Sequence, residues 1–375
     1  MQITSQFDSG NILVQRLDTP QTIELAIRRD TNSEFLQWFH FRLQSEAGVP
    51  HRLAITNIKD SSYLEGWQDY QAVASYDREE WFRVPTRIEN DQLVIEHTPD
   101  YDAVFYAYFA PYSYERHLDL VHNAQFSPRC SLSVLGQTVQ GRDMHLLTIG
   151  EEGEGKRKVW VIARQHPGET MAEWFMEGFI ERILDEDEPL VRKLLDSAVF
   201  YLVPNMNPDG AVNGNLRSNF AGRNLNREWM EPSMEASPEV FLVRQKMHET
   251  GVDLFLDIHG DEALPYNFVA ACEGIPSYDG RIAQLETEFK RAFLAASPDF
   301  QVAQGYAVDK PGEANLTMGS TYVGEAFKCL ALTLEMPFKD NADLPDYEYG
   351  WSPARSKKLA EAIFHPIAAV MPSLR

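Results

Sequence analysis

The sequence predicts an antiparallel β-sandwich over residues 1–125, followed over residues 126–375 by an α/β domain whose mixed central sheet is flanked by helices. Three observations lead there. The chain is longer than one ordinary domain, a two-residue apolar rhythm is confined to its first third, and apolar strands alternate with amphipathic helices after that. At roughly 100–200 residues per domain, 375 residues suggest two units, each able to close its own core.

Within the first unit, apolar residues fall at every second position in Ile12-Leu-Val14, in Ile23, Leu25 and Ile27, in Phe39, Phe41 and Leu43, and in Leu93 and Ile95. That period puts one face of a strand in a core and the other in water. The runs are short and are separated by turn clusters such as Glu46-Ala-Gly-Val-Pro50, with almost nothing of helical period between them. In the second unit, Val159–Ala163, Val199–Val203, Leu254–Leu256 and, but for Thr333, Leu330–Leu334 are apolar, as expected of strands covered on both faces. Between the first two, Thr170 to Leu184 carries Phe175, Phe179, Ile180, Ile183 and Leu184 on one helical stripe. Ser237-Pro238 and Ser352-Pro353 each place a capping serine before a proline, so helices should start there.

Composition narrows the function. No apolar run approaches a membrane span, and a formal charge of −22 repels phosphate backbones and anionic lipid, so neither nucleic acid nor membrane is an expected partner. The start, Met1-Gln-Ile-Thr-Ser-Gln-Phe-Asp-Ser-Gly10, lacks the features of a secretory signal, and a cytoplasmic location is expected. Cys130, Cys272 and Cys329 are odd in number, widely spaced and without a CxxC, which suits a reducing compartment and argues against a cysteine metal cluster.

Chemistry concentrates where strands end. Arg164-Gln-His-Pro-Gly-Glu169 follows one strand directly, and His166 and Glu169 can face one point if a helical turn begins at Pro167-Gly168. His259 closes a second strand in Leu254-Phe-Leu-Asp-Ile-His-Gly260 and completes two histidines and one carboxylate, a common set for a catalytic zinc with an open position. Glu335 closes a third, in Leu332-Thr-Leu-Glu-Met-Pro337. Strand ends of an open α/β sheet converge on one crevice. Between these segments run Asn205-Met-Asn-Pro-Asp-Gly210 and a turn-rich loop carrying Arg217, Arg223 and Arg227, whose planar forks suit a carboxylate.

In this order, HPGE, NPDG, the Asn226-Arg227 pair, DIHG and the glutamate of TLEMPF resemble the motifs of zinc carboxypeptidases of the carboxypeptidase A type. Phe7-Asp-Ser-Gly-Asn11, Trp38-Phe39 and Tyr106–Tyr112 resemble the sandwich of their cytosolic subfamily. The resemblance implies a metalloprotease that hydrolyses the C-terminal bond of a peptide or protein with one zinc ion per chain. His166, Glu169 and His259 would hold the metal, Glu335 would deprotonate the attacking water, Arg217 would stabilise the oxyanion, and Asn226 and Arg227 would hold the terminal carboxylate. Arg223 lies in the same loop and could exchange roles with Arg217. It also brings acidic C-terminal residues forward as a substrate preference, with Lys310, Lys328 and Lys339 the basic residues nearest the catalytic strand. Two departures stand out: Asn224 occupies the place where many relatives have an aspartate, and the substrate-capping tyrosine has only Tyr306 and Tyr322 as candidates. The competing expectations are a zinc deacylase of the aspartoacylase or succinylglutamate desuccinylase type, and a binding protein that has lost turnover.

Overall fold

The computed structural model describes residues 1–375. Its first third forms two five-stranded sheets. One runs Gln2–Thr4, His40–Gln44, Ala103–Ala107, Val73–Ser75 and Phe82–Arg83, antiparallel throughout. The other runs Leu13–Leu17, Ile23–Ala26, His51–Ile55, Gln92–His97 and Thr86–Glu89; within it, Ile23–Ala26 pairs with His51–Ile55 in parallel. The two-residue rhythm does what it predicts: Leu25, Phe39, Phe41, Leu43, Leu93 and Ile95 are completely buried. Leu13 and Val14 are exposed because their strand lies at a sheet edge with one neighbour.

One helix escapes the sequence pattern, Tyr114–Ala124, capped by Ser113, whose hydroxyl accepts from the Arg116 N–H. Its buried face carries His117 beside Val121 and Ala124, so no apolar stripe announces it.

The larger sheet has seven strands in the order Cys130–Gln137, Asp143–Ile149, Ala198–Val203, Arg157–Ala163, Leu254–Asp261, Leu330–Pro337 and Phe268–Ala271. The middle four are parallel and the flanking ones antiparallel, which makes the sheet mixed. Along Val159-Trp-Val-Ile-Ala163, alternate residues enter two different cores, Val159, Val161 and Ala163 in one, Trp160 and Ile162 in the other. Helices on both faces explain the uninterrupted apolar runs. Thr170–Leu184 is buried nearly all round, and at Gly178 a Cβ would lie 2.7 Å from the backbone of Lys357 in the helix Pro353–Ala362. Because the four central strands are parallel, their carboxyl ends share one rim. The sandwich packs onto the same body, with the Tyr108 ring 4.8 Å from that of Phe338 just beyond Leu330–Pro337.

Candidate metal centre and active site

Strand Arg157–Ala163 does not run straight into a helix. Arg164 takes a left-handed conformation (φ 59°), which costs a non-glycine residue energy, and its buried side chain offsets that cost. The guanidinium donates to Glu173 (2.5 Å) and to the carbonyls of Pro167 and Tyr112 (2.9 Å each). The helix begins at Thr170, with Glu169 as its N-terminal flank, so the expected helical turn at Pro167-Gly168 is a tight loop instead. Gly168 donates its N–H to the Leu216 carbonyl at 2.8 Å, and a Cβ there would lie only 3.0 Å from that residue, so Leu216 would have to shift slightly.

This loop, together with the neighbouring strand, brings His166, Glu169 and His259 together, all buried, their ligand atoms within 4.8 Å of one another. The Nδ1 atoms of His166 and His259 approach the two oxygens of Glu169 at 2.6 and 2.8 Å. Their Nε2 atoms point away, that of His166 to the Asn224 carbonyl oxygen at 3.0 Å, that of His259 to the Asp257 carboxylate at 3.0 Å. Inward Nδ1 and outward Nε2 facing an acceptor is the arrangement a metal-ligating histidine adopts. The donor set therefore fits a zinc ion with an open position.

Electrostatics separate the two rings. Burial and the Arg217 guanidinium push His166 down to about 4, although Glu169 pulls the other way. Burial opposes the charge on His259 too, yet the Asp257 and Glu169 carboxylates outweigh it and raise the ring well above its ordinary value. His166 thus resists protonation, while His259 is held by carboxylates on two sides.

Glu335 lies opposite His259 in the register of the two parallel strands, buried, with its Oε2 unpartnered. Burial raises its pKa well above the carboxylate range; Glu169, Asp261 and Glu262 add to this and His259 opposes it. Arg217 reaches the same point, its Nη1 3.7 Å from Glu169 Oε1, whereas Arg223 turns outward to Glu228 at 3.4 Å. Asn226 accepts from the Gly319 N–H through its side-chain oxygen at 2.7 Å, and the exposed Arg227 donates to the Asn226 carbonyl at 2.6 Å. Of the two tyrosines, Tyr306 points its hydroxyl at Asp261 (2.6 Å) beside this rim, and Tyr322 bonds His248 (3.0 Å) while packing on Trp229.

A cavity of about 320 Å³ opens beside Glu335, and Asn226, Phe268, Ala270, Ser320 and Thr333 are among its lining residues. Lys310, Lys328 and Lys339 do not line it; the lysine that does is Lys290, whose ammonium lies 2.5 Å from Glu286 and 3.9 Å from Glu273.

Sequence reasoning missed Asp257, although it stands in the DIHG motif two residues before His259. It also missed Tyr63 of the sandwich, whose ring lies 5.2 Å from the Arg217 guanidinium. No spacing signal could reveal a contact between residues so far apart in the chain.

The chain is similar to known proteins along nearly its whole length. Residues 3–109 match the family model described as the cytosolic carboxypeptidase N-terminal domain, and residues 114–361 match the one described as zinc carboxypeptidase. A metallo-carboxypeptidase from Pseudomonas aeruginosa, solved in complex with (2-guanidinoethylmercapto)succinic acid, is 49% identical with a TM-score of 0.98 over 100% of both chains. One from Burkholderia cenocepacia is 50% identical, TM-score 0.96, over 99% of this chain and 98% of that one. Cytosolic carboxypeptidase 2 of Xenopus tropicalis is 31% identical over 72% of this chain and 32% of its own, so the chain spans about a third of that longer relative.

Proposed function

This chain belongs to the zinc carboxypeptidases, metal-dependent peptidases, and from that premise we propose that it removes single C-terminal residues with one zinc ion held by His166, Glu169 and His259. The observation that carries the reading is the convergence of those three donors on one buried point, with Glu335 and Arg217 beside it. Bound there, zinc supplies Lewis acidity, lowering the pKa of a water and polarising the scissile carbonyl. Glu335 takes the water's proton and later passes it to the leaving amine; it is buried opposite His259 in the strand register, with one oxygen unpartnered. Arg217 donates to the oxygen that gains charge as the tetrahedral species forms, and its position on Glu169 favours it over Arg223 for this role. Asn226 and Arg227 hold the terminal carboxylate, and Tyr306 closes over the substrate. The peptide or protein C-terminus is the partner, in the cytoplasm, as the cytosolic relatives' names suggest.

Asn224 accepts from His166 without carrying a charge, so the ring it orients is a weaker donor than one held by a carboxylate. Asn224→Asp is expected to tighten zinc by roughly ten- to hundredfold in a chelator competition. Unchanged affinity would show that this contact does not tune the ligand.

The cavity's charge bears on what is cut. Its one cation is already neutralised by Glu286 and Glu273, while a buried glutamate side chain needs a cation of its own. That balance favours a neutral or cationic C-terminal residue over the acidic one that the resemblance brings forward. The test compares otherwise identical peptides ending in Phe, Lys and Glu, each as free acid and as amide, with wild type and Arg227→Ala. Cleavage is expected of free acids only, slowest for Glu, and the variant should lose roughly ten- to hundredfold of the acid-over-amide preference, the value of a charged hydrogen bond. Release of Glu at least tenfold faster than of Phe and Lys would restore the acidic preference, and deacylation in place of peptide cleavage would overturn the proposal itself.

A further inference from the structure

We infer that Asp30, in the N-terminal sandwich, is a positioning residue for the reaction: it clamps the backbone on both sides of Arg217 so that the guanidinium is aimed at the metal centre before substrate arrives. This rests on the reading of Arg217 as the oxyanion donor. Asp30 is buried, and every partner it has in that loop is a donor. Its Oδ1 accepts from the Leu216 N–H (2.6 Å), and its Oδ2 from the N–H groups of Arg217 (2.8 Å) and Ser218 (2.9 Å) and from the Ser218 hydroxyl (3.0 Å). Three successive amides turned onto one carboxylate leave that stretch of backbone a single conformation. Its other edge is tied to the metal loop, because the Leu216 carbonyl accepts the Gly168 N–H at 2.8 Å.

The side chain is held from the same domain. Rings of Phe35 and Tyr63 lie 6.0 and 5.2 Å from the Arg217 guanidinium, whose Nη1 is 3.7 Å from Glu169 Oε1. An arginine left to itself has many rotamers to give up on being fixed. Here the sandwich fixes it in advance, and a donor that need not reorganise during the reaction is worth most to the transition state. The arginine lies in the catalytic half of the chain, and Asp30, Phe35 and Tyr63 of the sandwich act with Glu169 to hold it.

The experiment is a double-mutant cycle of Asp30→Asn and Arg217→Ala, read as kcat and KM on a peptide that wild type cleaves, with zinc content and Tm alongside. In Asp30→Asn an amide –NH2 faces the loop N–H donors, and kcat is expected to fall at least roughly tenfold with KM changed less than about threefold and zinc retained. In the Arg217→Ala background the same substitution should cost nothing more, because residues acting as one unit are not additive. An equal loss in both backgrounds, or wild-type kcat in Asp30→Asn, would overturn the assignment, leaving Asp30 as interface packing. Hydrogen exchange supplies a readout that needs no activity: the amides of residues 216–218 should exchange faster in Asp30→Asn while those of Arg157–Ala163 stay protected. Unchanged protection of 216–218 also overturns the inference, whereas a wild-type protein inert on every peptide overturns only the carboxypeptidase reading. Should Asp30→Asn not fold, Tyr63→Leu takes its place in the cycle, with a loss in kcat of roughly threefold or more expected only when Arg217 is present.

Discussion

Glu335→Gln is expected to retain a full equivalent of zinc and to lose at least roughly a thousandfold in kcat, within the range that a positioned general base supplies. The substitution keeps the shape of the side chain and removes only its ability to accept the proton of the attacking water. The carboxyl it replaces is buried among Glu169, Asp261 and Glu262, with one oxygen unpartnered, so the wild-type group is held at some cost to folding. The Tm of the variant should therefore equal or exceed that of wild type. A drop in activity accompanied by lost zinc or a lowered Tm would mean that Glu335 supports the site structurally, and turnover near wild type would remove it from the mechanism. The raised pKa fits the role once the ion's own charge is included. A divalent cation held by His166, Glu169 and His259 would favour the ionised form of this carboxyl.

Stripping zinc with a chelator is expected to reduce turnover below roughly a thousandth of wild type and leave a folded protein, with activity restored on adding zinc back. Folding survives because the three ligands satisfy one another through Glu169, which bridges both histidines, and because two apolar cores surround the sheet without involving the metal. Stability should still respond by mass action, about 4 kcal/mol at free zinc a thousandfold above its dissociation constant, seen as a Tm that rises with zinc concentration. A chelated sample that keeps its activity would refute the metal reading, whatever the state of Glu335.

Much of the architecture was legible in the chain because its rhythm is local. A residue's burial in Phe39-His-Phe-Arg-Leu43 depends on the strand period, and the strand ending at Ala163 and the helix at Thr170–Leu184 follow from apolar spacing. Tyr114–Ala124 was not legible, since its inward side buries His117, bonded to Glu173 at 2.7 Å, and a paired histidine has no hydrophobic signature. The tight loop after His166, which stands in place of a helical turn at Pro167-Gly168, was not legible for a similar reason. Arg164 turns the backbone left-handed there with contacts to Glu173 and Tyr112, neither of which its neighbours in sequence disclose.

By itself the sequence determined the two halves and the strand ends, and it brought forward His166, Glu169, His259 and Glu335 because they stand at or just beyond the ends of apolar runs. Tertiary structure alone decided which arginine faces the metal centre, which tyrosine stands at the rim, and how the cavity's lysine is neutralised. It also decided that Asp30 and Tyr63, from the other half of the chain, hold Arg217 in place. The physical reason is distance along the chain. Strand and helix periods act over a few residues, whereas charge balance and hydrogen-bond partnership depend on groups almost two hundred residues apart, which only the packing of one domain on the other brings within 3 Å.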